Sequence, residues 1–185
     1  MVGADPSFTE THILRTLFSL DSEPTGRKSL VKILGVGEGS VRTIIKRLTA
    51  KGLVTSSQAG HALTAPGKRV VHDKLKLMTK PIPIESGLVS GIQSLVLVHS
   101  ASEKVGDGVK LRDVALKAGA DGAVILVYDK GLVFPKSGLD LSDYPPAKEA
   151  LSRLNLAEGD VLVIGFAKTQ PLAEDGTLAA ALELV

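Results

Sequence analysis

Two prolines separated by a single residue, Pro81 and Pro83, constrain the fold of this chain more than any other feature of its sequence. Each proline ring fixes its own backbone angle and restricts the residue before it to extended conformations, so no helix passes through this point. The 185 residues are too few for a large multidomain enzyme but enough for two small domains. We therefore predict one domain at 1–80 and a second at 81–185.

The two predicted domains differ in charge, a difference that the total of +2 conceals. Residues 1–80 contain 13 Lys and Arg against 6 Asp and Glu, a net of +7, whereas residues 81–185 contain 9 against 14, a net of −5. A basic domain joined to an acidic one indicates that the basic domain binds a polyanion and that the acidic domain has a different function. The alternative is that these charges are solvated surface residues without a function. The positions of the charged residues have to distinguish the two interpretations.

Several protein classes are excluded by what the chain lacks. It has no cysteine, which removes disulfide frameworks, thiolate metal sites and cysteine nucleophiles. Aromatic residues make up only 3%, too few for an RNA reader built on rows of stacking rings. No apolar run approaches the roughly 18 residues of a membrane span, and Met1–Glu10 lacks the basic start of a signal peptide. We therefore expect a cytoplasmic protein that makes no membrane contact.

Three amphipathic helices are predicted in the basic half. Apolar residues recur at helical spacing in Phe8–Leu20, in Arg27–Leu34 and from about Glu38 to Lys51. Asp21–Gly26 supplies turn residues after the first helix, and Gly35–Gly37 forms a tight turn before the third. The pattern thus predicts two short helices joined by a glycine turn.

A hairpin and a fourth helix are predicted to follow. Leu53–Thr55 and His61–Leu63 are strand-like segments on either side of the polar tip Ser56–Gly60. Thr64 then caps a helix that carries Pro66 in its first turn. The apolar side of this helix is predicted to consist of Val70, Val71, Leu75 and Met78.

The third helix has a basic free face. Its core-facing residues are predicted to be Val41, Ile44, Ile45 and Leu48. The opposite face presents Ser40, Arg42, Thr43, Lys46, Arg47 and Lys51. Glu38 is the only acid of this helix and lies at its N-terminus, where the helix dipole tolerates it. An α-helix fits the DNA major groove, with side chains near its N-terminal half on base edges and later cations on phosphates. We therefore predict that these six residues bind double-stranded DNA.

The segment Ser29–Leu48 resembles the helix-turn-helix core of the winged-helix superfamily of bacterial and archaeal regulators. The continuation Lys51–Val54 and then Leu63–Lys68 is similar to the wing and the helix that follows it. This resemblance covers about residues 8–78 and implies a DNA-binding domain. One departure is that the tip Ser56–Gly60 has no Lys or Arg, where many relatives insert a cation into the minor groove.

Two alternatives stay open for this half. Winged helices also serve as protein-interaction modules in which the third helix never meets DNA. The fourth helix, with the neighbouring Lys68, Arg69, Lys74 and Lys76, either pairs with a second subunit or only packs on the first helix. Because such regulators commonly bind as two-fold dimers, we expect a homodimer.

Strand and helix patterns alternate in the acidic half. The predicted strands are Leu95–His99, Ala123–Tyr128 and Val161–Phe166, and the predicted helices are Leu111–Ala118, Pro146–Leu154 and Pro171–Leu184. A turn at Asp129–Gly131 leads into Leu132–Phe134 and predicts a hairpin. This alternation suggests an α/β or α+β domain. We predict α/β for the second domain and α+β for the whole chain, with an N-terminal winged helix-turn-helix domain.

Catalytic chemistry is not evident in the sequence. Gly106-Asp107-Gly108 precedes a helix, but a dinucleotide fingerprint would require a small residue at Leu111, and no Walker lysine follows. The chain has four histidines, none of them paired at metal-ligand spacing: His12, His61, His72 and His99. His99, at a strand end beside Ser100 and Ser102, is either a group that polarises a ligand or a plain strand-end residue, and the second is the simpler interpretation. Arg112, Asp113 and Asp121 either line a pocket or form salt-bridged surface, and again the second is simpler. We predict no catalytic residue, no metal and no cofactor.

The whole chain also resembles a poorly characterised archaeal family that joins an N-terminal winged helix to a C-terminal domain of unknown function. The residues that carry this resemblance are Arg112-Asp113, Gly119–Gly122, Gly159–Val161 and Leu178–Leu182. We predict a DNA-binding transcriptional regulator whose second domain senses a small-molecule effector or mediates assembly. The alternatives are a small-molecule enzyme with an appended regulatory winged helix and an adaptor in which both halves bind protein.

Overall fold

The computed structural model describes residues 8–185. Residues 1–7, part of the segment considered above for a signal peptide, lie outside this range. The chain divides into two compact units, one ending at Leu75 and one spanning Lys76–Val185, whereas the proline pair placed the border between residues 80 and 81. Each unit has its own core.

Three helices, a hairpin and a fourth helix form the first unit. Its elements are α1 (Glu10–Ser19), α2 (Arg27–Leu34), α3 (Glu38–Ala50), β1 (Val54–Ser57), β2 (Gly60–Leu63) and α4 (Ala65–Leu75). Helices α1, α2 and α3 bury most of the apolar positions that the sequence predicts, with Leu30, Val41 and Ile44 inaccessible to solvent, whereas Val70 of the side predicted for α4 is exposed. Local hydrophobic spacing therefore accounts for this unit up to the hairpin.

The hairpin is tied to the segment between α1 and α2, a contact that the sequence does not reveal. The Thr25 N–H donates to the His61 carbonyl over 2.9 Å, and the His61 N–H donates to the Thr25 carbonyl over 3.0 Å. Gly60 has φ +124°, and a Cβ atom there would lie 2.9 Å from the Thr25 carbonyl carbon. Glycine at this position therefore allows the hairpin to close against Thr25.

Helix α4 ends at Leu75, so the prediction that Met78 shares its apolar side is wrong. Met78 is fully buried and forms an antiparallel bridge with Val98 in the second unit. Around it, the Thr79 N–H donates to the Leu97 carbonyl over 2.9 Å, and the His99 N–H donates to the Leu77 carbonyl over 2.8 Å. These strand-like hydrogen bonds pair backbone N–H and C=O groups that no longer have helical partners. A longer α4 would have included Pro81, which a helix interior does not tolerate.

The second unit is a five-stranded sheet with helices on its faces. Its main elements are β3 (Ile82–Ile84), β4 (Ile92–Val98), α5 (Val109–Lys117), β5 (Gly122–Tyr128), β6 (Leu132–Val133), α6 (Pro145–Leu151), β7 (Val161–Ala167) and α7 (Gln170–Leu182). The extended path predicted at the proline pair is strand β3, which pairs with β4 at one edge of the sheet. Pro83 is tolerated there because an edge strand can dispense with one N–H.

All neighbouring strands of this sheet are antiparallel, in the order β3-β4-β7-β5-β6. The crossover through α5 makes β4 and β5 run in the same direction, but β7 lies between them, which is a split β-α-β arrangement. The prediction of α/β for this half is therefore wrong in the strict sense, since α/β implies paired parallel strands. The prediction that the whole chain is α+β is confirmed.

The two faces of the sheet are covered differently. Helices α5 and α7 pack on one face, where a Cβ atom at Gly165 would collide with Thr177 and lie 2.9 Å from the Ala173 carbonyl oxygen. The other face forms a leucine-rich core with α6: Leu95, Leu97, Leu126, Leu141, Ala147, Leu151, Leu162 and Ile164. Among residues 8–185, no helix combines the length and the apolar character needed to cross a membrane.

Candidate nucleic-acid interface

Helix α3 is anchored in the first unit by one apolar side. Val41 and Ile44 are fully buried, and Leu48 is nearly so. The helix begins after Gly37, which follows the turn that ends α2 at Gly35. Since the buried side is fixed against α2 and the hairpin, the opposite side faces solvent.

The six residues predicted to bind DNA share this exposed side of α3 or its C-terminal end. Arg42, Thr43, Lys46 and Arg47 are exposed, Ser40 is half-buried, and Lys51 is the exposed residue that caps the helix. We call these six residues the α3 basic face. It offers four cations within 10 positions of the sequence, all reachable by a large polyanion.

Arg42 shares a carboxylate with an arginine of the preceding helix. Glu38 Oε1 lies 3.7 Å from Arg42 Nη2 and 3.8 Å from Arg27 Nη1. All three side chains are largely exposed, so these ion pairs contribute little to stability and can be exchanged for other partners. Arg27 thus lies beside the α3 basic face, although sequence reasoning did not include it.

Arg47 and Thr43 also have partners within the first unit. The Arg47 guanidinium carbon lies 5.0 Å from the centre of the Phe8 ring, a cation–π distance. The Thr43 hydroxyl donates to the Gly39 carbonyl over 3.0 Å. Lys46 and Lys51, by contrast, form no ion pair with any residue that the structure describes. The two lysines are therefore the cations least restrained by the fold.

The hairpin supplies no cation of its own, but Arg27 lies near its base. Burial, and next the Arg27 guanidinium, hold the pKa of His61 below its ordinary value. The His61 Nδ1 atom lies 2.7 Å from the Ser56 hydroxyl. Arg27 therefore places a positive charge within electrostatic reach of His61 in β2, although the hairpin tip itself has no Lys or Arg.

The second unit contains a cavity of about 500 Å³ between the β5–β6 hairpin and the segment that includes α6. Its lining consists of Tyr128, Lys130, Gly131, Leu132, Asp140, Leu141, Ser142, Lys148, Leu151, Ser152, Leu154, Asn155 and Leu156. The sequence did not reveal this site because its residues come from three separate segments, 128–132, 140–142 and 148–156, and match no motif.

The other candidate residues of the second unit are satisfied by local partners. Asp107 Oδ1 accepts from the Val109 N–H over 3.0 Å, so its carboxylate occupies the helix end that a phosphate would need. His99 Nδ1 lies 3.4 Å from the buried carboxylate of Asp160, and Arg112 pairs with Asp113 at 3.0 Å. Within residues 8–185, no three His, Asp or Glu side chains converge in a group that could hold a metal.

Fold and geometry together define a two-unit α+β protein, with a basic helix face in the first unit and a cavity beside an antiparallel sheet in the second. The chain belongs to the family defined by the domain of unknown function DUF4443, whose model matches residues 89–184. Residues 10–69 match the model of the PH0730-like N-terminal domain.

A solved structure supports the same assignment. The chain is similar to the hypothetical protein PH0730 from Pyrococcus horikoshii OT3, with a TM-score of 0.81 and 31% sequence identity over 96% of this chain and 92% of that one. Among proteins with curated descriptions, none matches this chain. The predicted relationship to an uncharacterised archaeal family is therefore confirmed, and the family name carries no activity with it.

Proposed function

We propose that this chain is a transcriptional regulator that binds double-stranded DNA through the α3 basic face. The observation that carries the proposal is the concentration of Arg42, Lys46, Arg47 and Lys51 on the solvent side of one helix whose other side is anchored in the core. A helix of these dimensions enters the major groove, and cations along it neutralise phosphates on the flanking strands.

The arrangement around α3 supports a winged-helix interpretation of the first unit. The order of three helices, a hairpin and a fourth helix matches the resemblance drawn from the sequence. The bridge between Thr25 and His61 adds a third extended segment to the hairpin and holds it beside the helices. In this interpretation α2 and α3 form the helix-turn-helix, and β1 and β2 form the wing.

The cations of the α3 basic face would divide into two roles. Arg42 lies in the first half of the helix, where side chains reach base edges, and a guanidinium pairs with two acceptors of guanine. Lys46 and Lys51 lie further along, where an ammonium group neutralises a phosphate without reading sequence. Release of Arg42 from Glu38 costs little, because the ion pair is exposed and its two atoms are 3.7 Å apart.

The second unit would report on a ligand or on assembly. A small molecule changes DNA binding only if it has different affinities for the DNA-competent and incompetent states. A homodimer would match two half-sites about one helical turn apart. The competing enzyme hypothesis would rely on the cavity, yet the lining described above offers no histidine and one carboxylate. Ligand binding is therefore the better use of the cavity.

A mobility-shift assay at two salt concentrations tests DNA binding. The full chain is compared with a variant that changes Arg42, Lys46, Arg47 and Lys51 to Glu. Wild-type protein should bind generic duplex at low salt and lose affinity steeply at higher salt, while the variant should not bind. Unchanged affinity of the variant would refute the proposal.

A matched control separates local from total charge. Changing Lys117, Lys136, Arg153 and Lys168 of the second unit to Glu alters the net charge equally, at residues that are all exposed. This control should retain most of its affinity. An equal loss of affinity in both variants would show that binding depends only on the net charge of the protein. The assignment of the DNA-binding surface to α3 would then be abandoned.

A further inference from the structure

The cavity of the second unit combines an apolar floor with two cations. Leu141 and Leu151 are buried members of the leucine-rich core, and Leu132, Leu154 and Leu156 pack against that core while remaining partly accessible. At about 500 Å³, the cavity falls within the roughly 300–1,000 Å³ typical of small-molecule sites. An apolar group of a ligand would therefore rest on leucine side chains.

The cations come from two different elements. Lys130 lies in the turn between β5 and β6, where its backbone N–H donates to Glu158 Oε1 over 2.9 Å. Its φ of +56° fits the tight turn that reverses the chain between these two strands. Lys148 lies on α6. Neither ammonium group forms an ion pair within the described chain, so both are available to an external anion.

Asp140 is the one acid of the lining, and its carboxylate is engaged locally. Its Oδ1 atom accepts from the Ser142 N–H over 2.7 Å and so caps the short turn that follows. Hydrogen bonds from the Ser142 side chain and backbone are the main reason that the pKa of Asp140 lies below its ordinary value, and the Lys148 charge also contributes. With two lysines against one carboxylate, the lining keeps a net positive charge.

We propose that this cavity binds a small amphiphilic organic acid, with its carboxylate near Lys130 and Lys148 and its aliphatic part on Leu132, Leu154 and Leu156. Tyr128 and Asn155 add polar groups on the lining that can hydrogen-bond the acid. Binding of the acid is independent of DNA binding. Only the step from ligand to regulation rests on the proposed function.

Isothermal titration of the full chain with octanoate tests the ligand class. Octanoate should bind saturably at one site, and two analogues should bind at least about tenfold more weakly: octanamide, which lacks the charge, and acetate, which lacks the chain. Equal affinity for octanamide would show that the lysines do not contribute to binding. Equal affinity for acetate would show that the leucines do not contribute. No saturable octanoate binding up to about 10 mM would overturn the proposal.

Lysine variants locate the site. The double variant Lys130→Gln with Lys148→Gln should weaken octanoate binding about tenfold and leave octanamide unchanged. The control Lys136→Gln with Lys168→Gln, at exposed positions outside the lining, should bind octanoate like wild type. Equal effects of the two pairs would place the acid elsewhere.

Regulation has a separate readout. Octanoate should change the mobility-shift midpoint of the wild-type chain but not that of the Lys130/Lys148 variant. If the chain binds no DNA while titration still shows octanoate binding, the proposed function fails and the cavity assignment stands. If DNA binds but octanoate does not, the cavity assignment fails alone.

Discussion

Arg42 and Arg47 belong to one exposed helix face, but the fold gives them different surroundings. Arg42 shares the Glu38 carboxylate with Arg27, whereas the Arg47 guanidinium stacks on Phe8. Helical spacing was enough to predict that both are exposed. The Glu38–Arg42 pair follows from their spacing of four residues on one helix. The contacts with Arg27 and Phe8 could not be predicted, because these residues approach α3 only through tertiary packing.

The positions of Arg42 and Lys46 along α3 lead to a prediction. Arg42→Ala should weaken binding to a preferred duplex by about 1–3 kcal/mol and relax sequence choice, because it removes a base contact. Lys46→Ala should weaken binding to all duplexes similarly and reduce the salt slope by about 1, because it removes a phosphate contact. Competition assays with a randomised duplex pool at several salt concentrations distinguish the two. If both variants keep wild-type sequence choice, Arg42 does not contact a base.

His61 leads to a prediction about pH. Because burial and Arg27 lower its pKa in the folded state, the unfolded chain binds the proton more tightly. The stabilisation is therefore present above the unfolded pKa, near 6.5, and is lost as the pH falls through the lower folded value. The free energy of unfolding should decrease from about pH 6.5 downward, and His61→Gln should flatten this slope.

Urea denaturation at several pH values measures the slope. The control His72→Gln, at an exposed position on α4, should keep the wild-type pH dependence. A His61→Gln slope equal to that of wild type would mean that another group is responsible.

Among the secondary-structure elements, the helices were easier to predict from the sequence than the order of the strands in the sheet. Apolar spacing placed α1, α2 and α3 correctly because a helix is stabilised by contacts within a few residues. The position of β7 between β4 and β5 is set by pairing between distant segments, which no local pattern encodes. The extended segment at Pro83 was interpreted as a domain border, but it is an edge strand that pairs with β4. Proline indicates an extended backbone without indicating which strand that backbone pairs with.

The bridge between the hairpin and Thr25 can be tested through Gly60. Gly60→Ala should destabilise the protein by about 1–3 kcal/mol, because the new Cβ would press on the Thr25 backbone at a φ that alanine rarely adopts. Gly39→Ala in α3 is the matched control, with open space around the added carbon and a helical backbone. It should stabilise by up to about 1 kcal/mol. Thermal and urea denaturation measure both, and a neutral Gly60→Ala would show that the bridge is dispensable.

The whole molecule combines two units of opposite charge, a division that residue counts along the sequence already show. The fold places four of the basic residues on the exposed side of α3, and it gives the acidic half a cavity that charge counts could not reveal. The cavity was unpredictable because its lining residues span 128 to 156 and meet only when β6 and α6 cover the leucine-rich core. Charge balance thus indicated a division of tasks, and tertiary structure is needed to assign each task to residues.

A two-fold assembly is the expectation that belongs to the whole molecule. One α3 basic face offers four cations, enough for weak and salt-sensitive binding, so a second copy would be needed to read a long operator. We expect the full chain to be a dimer by light scattering at micromolar concentration and to protect two DNA segments about 10 base pairs apart in a hydroxyl-radical footprint. Adding half a helical turn between the half-sites should reduce affinity sharply, because it moves one half-site to the opposite face of the duplex. Adding a full helical turn instead returns both half-sites to the same face of the duplex and serves as the control. A monomer that protects one segment, with affinity insensitive to spacing, would show that each chain reads DNA alone.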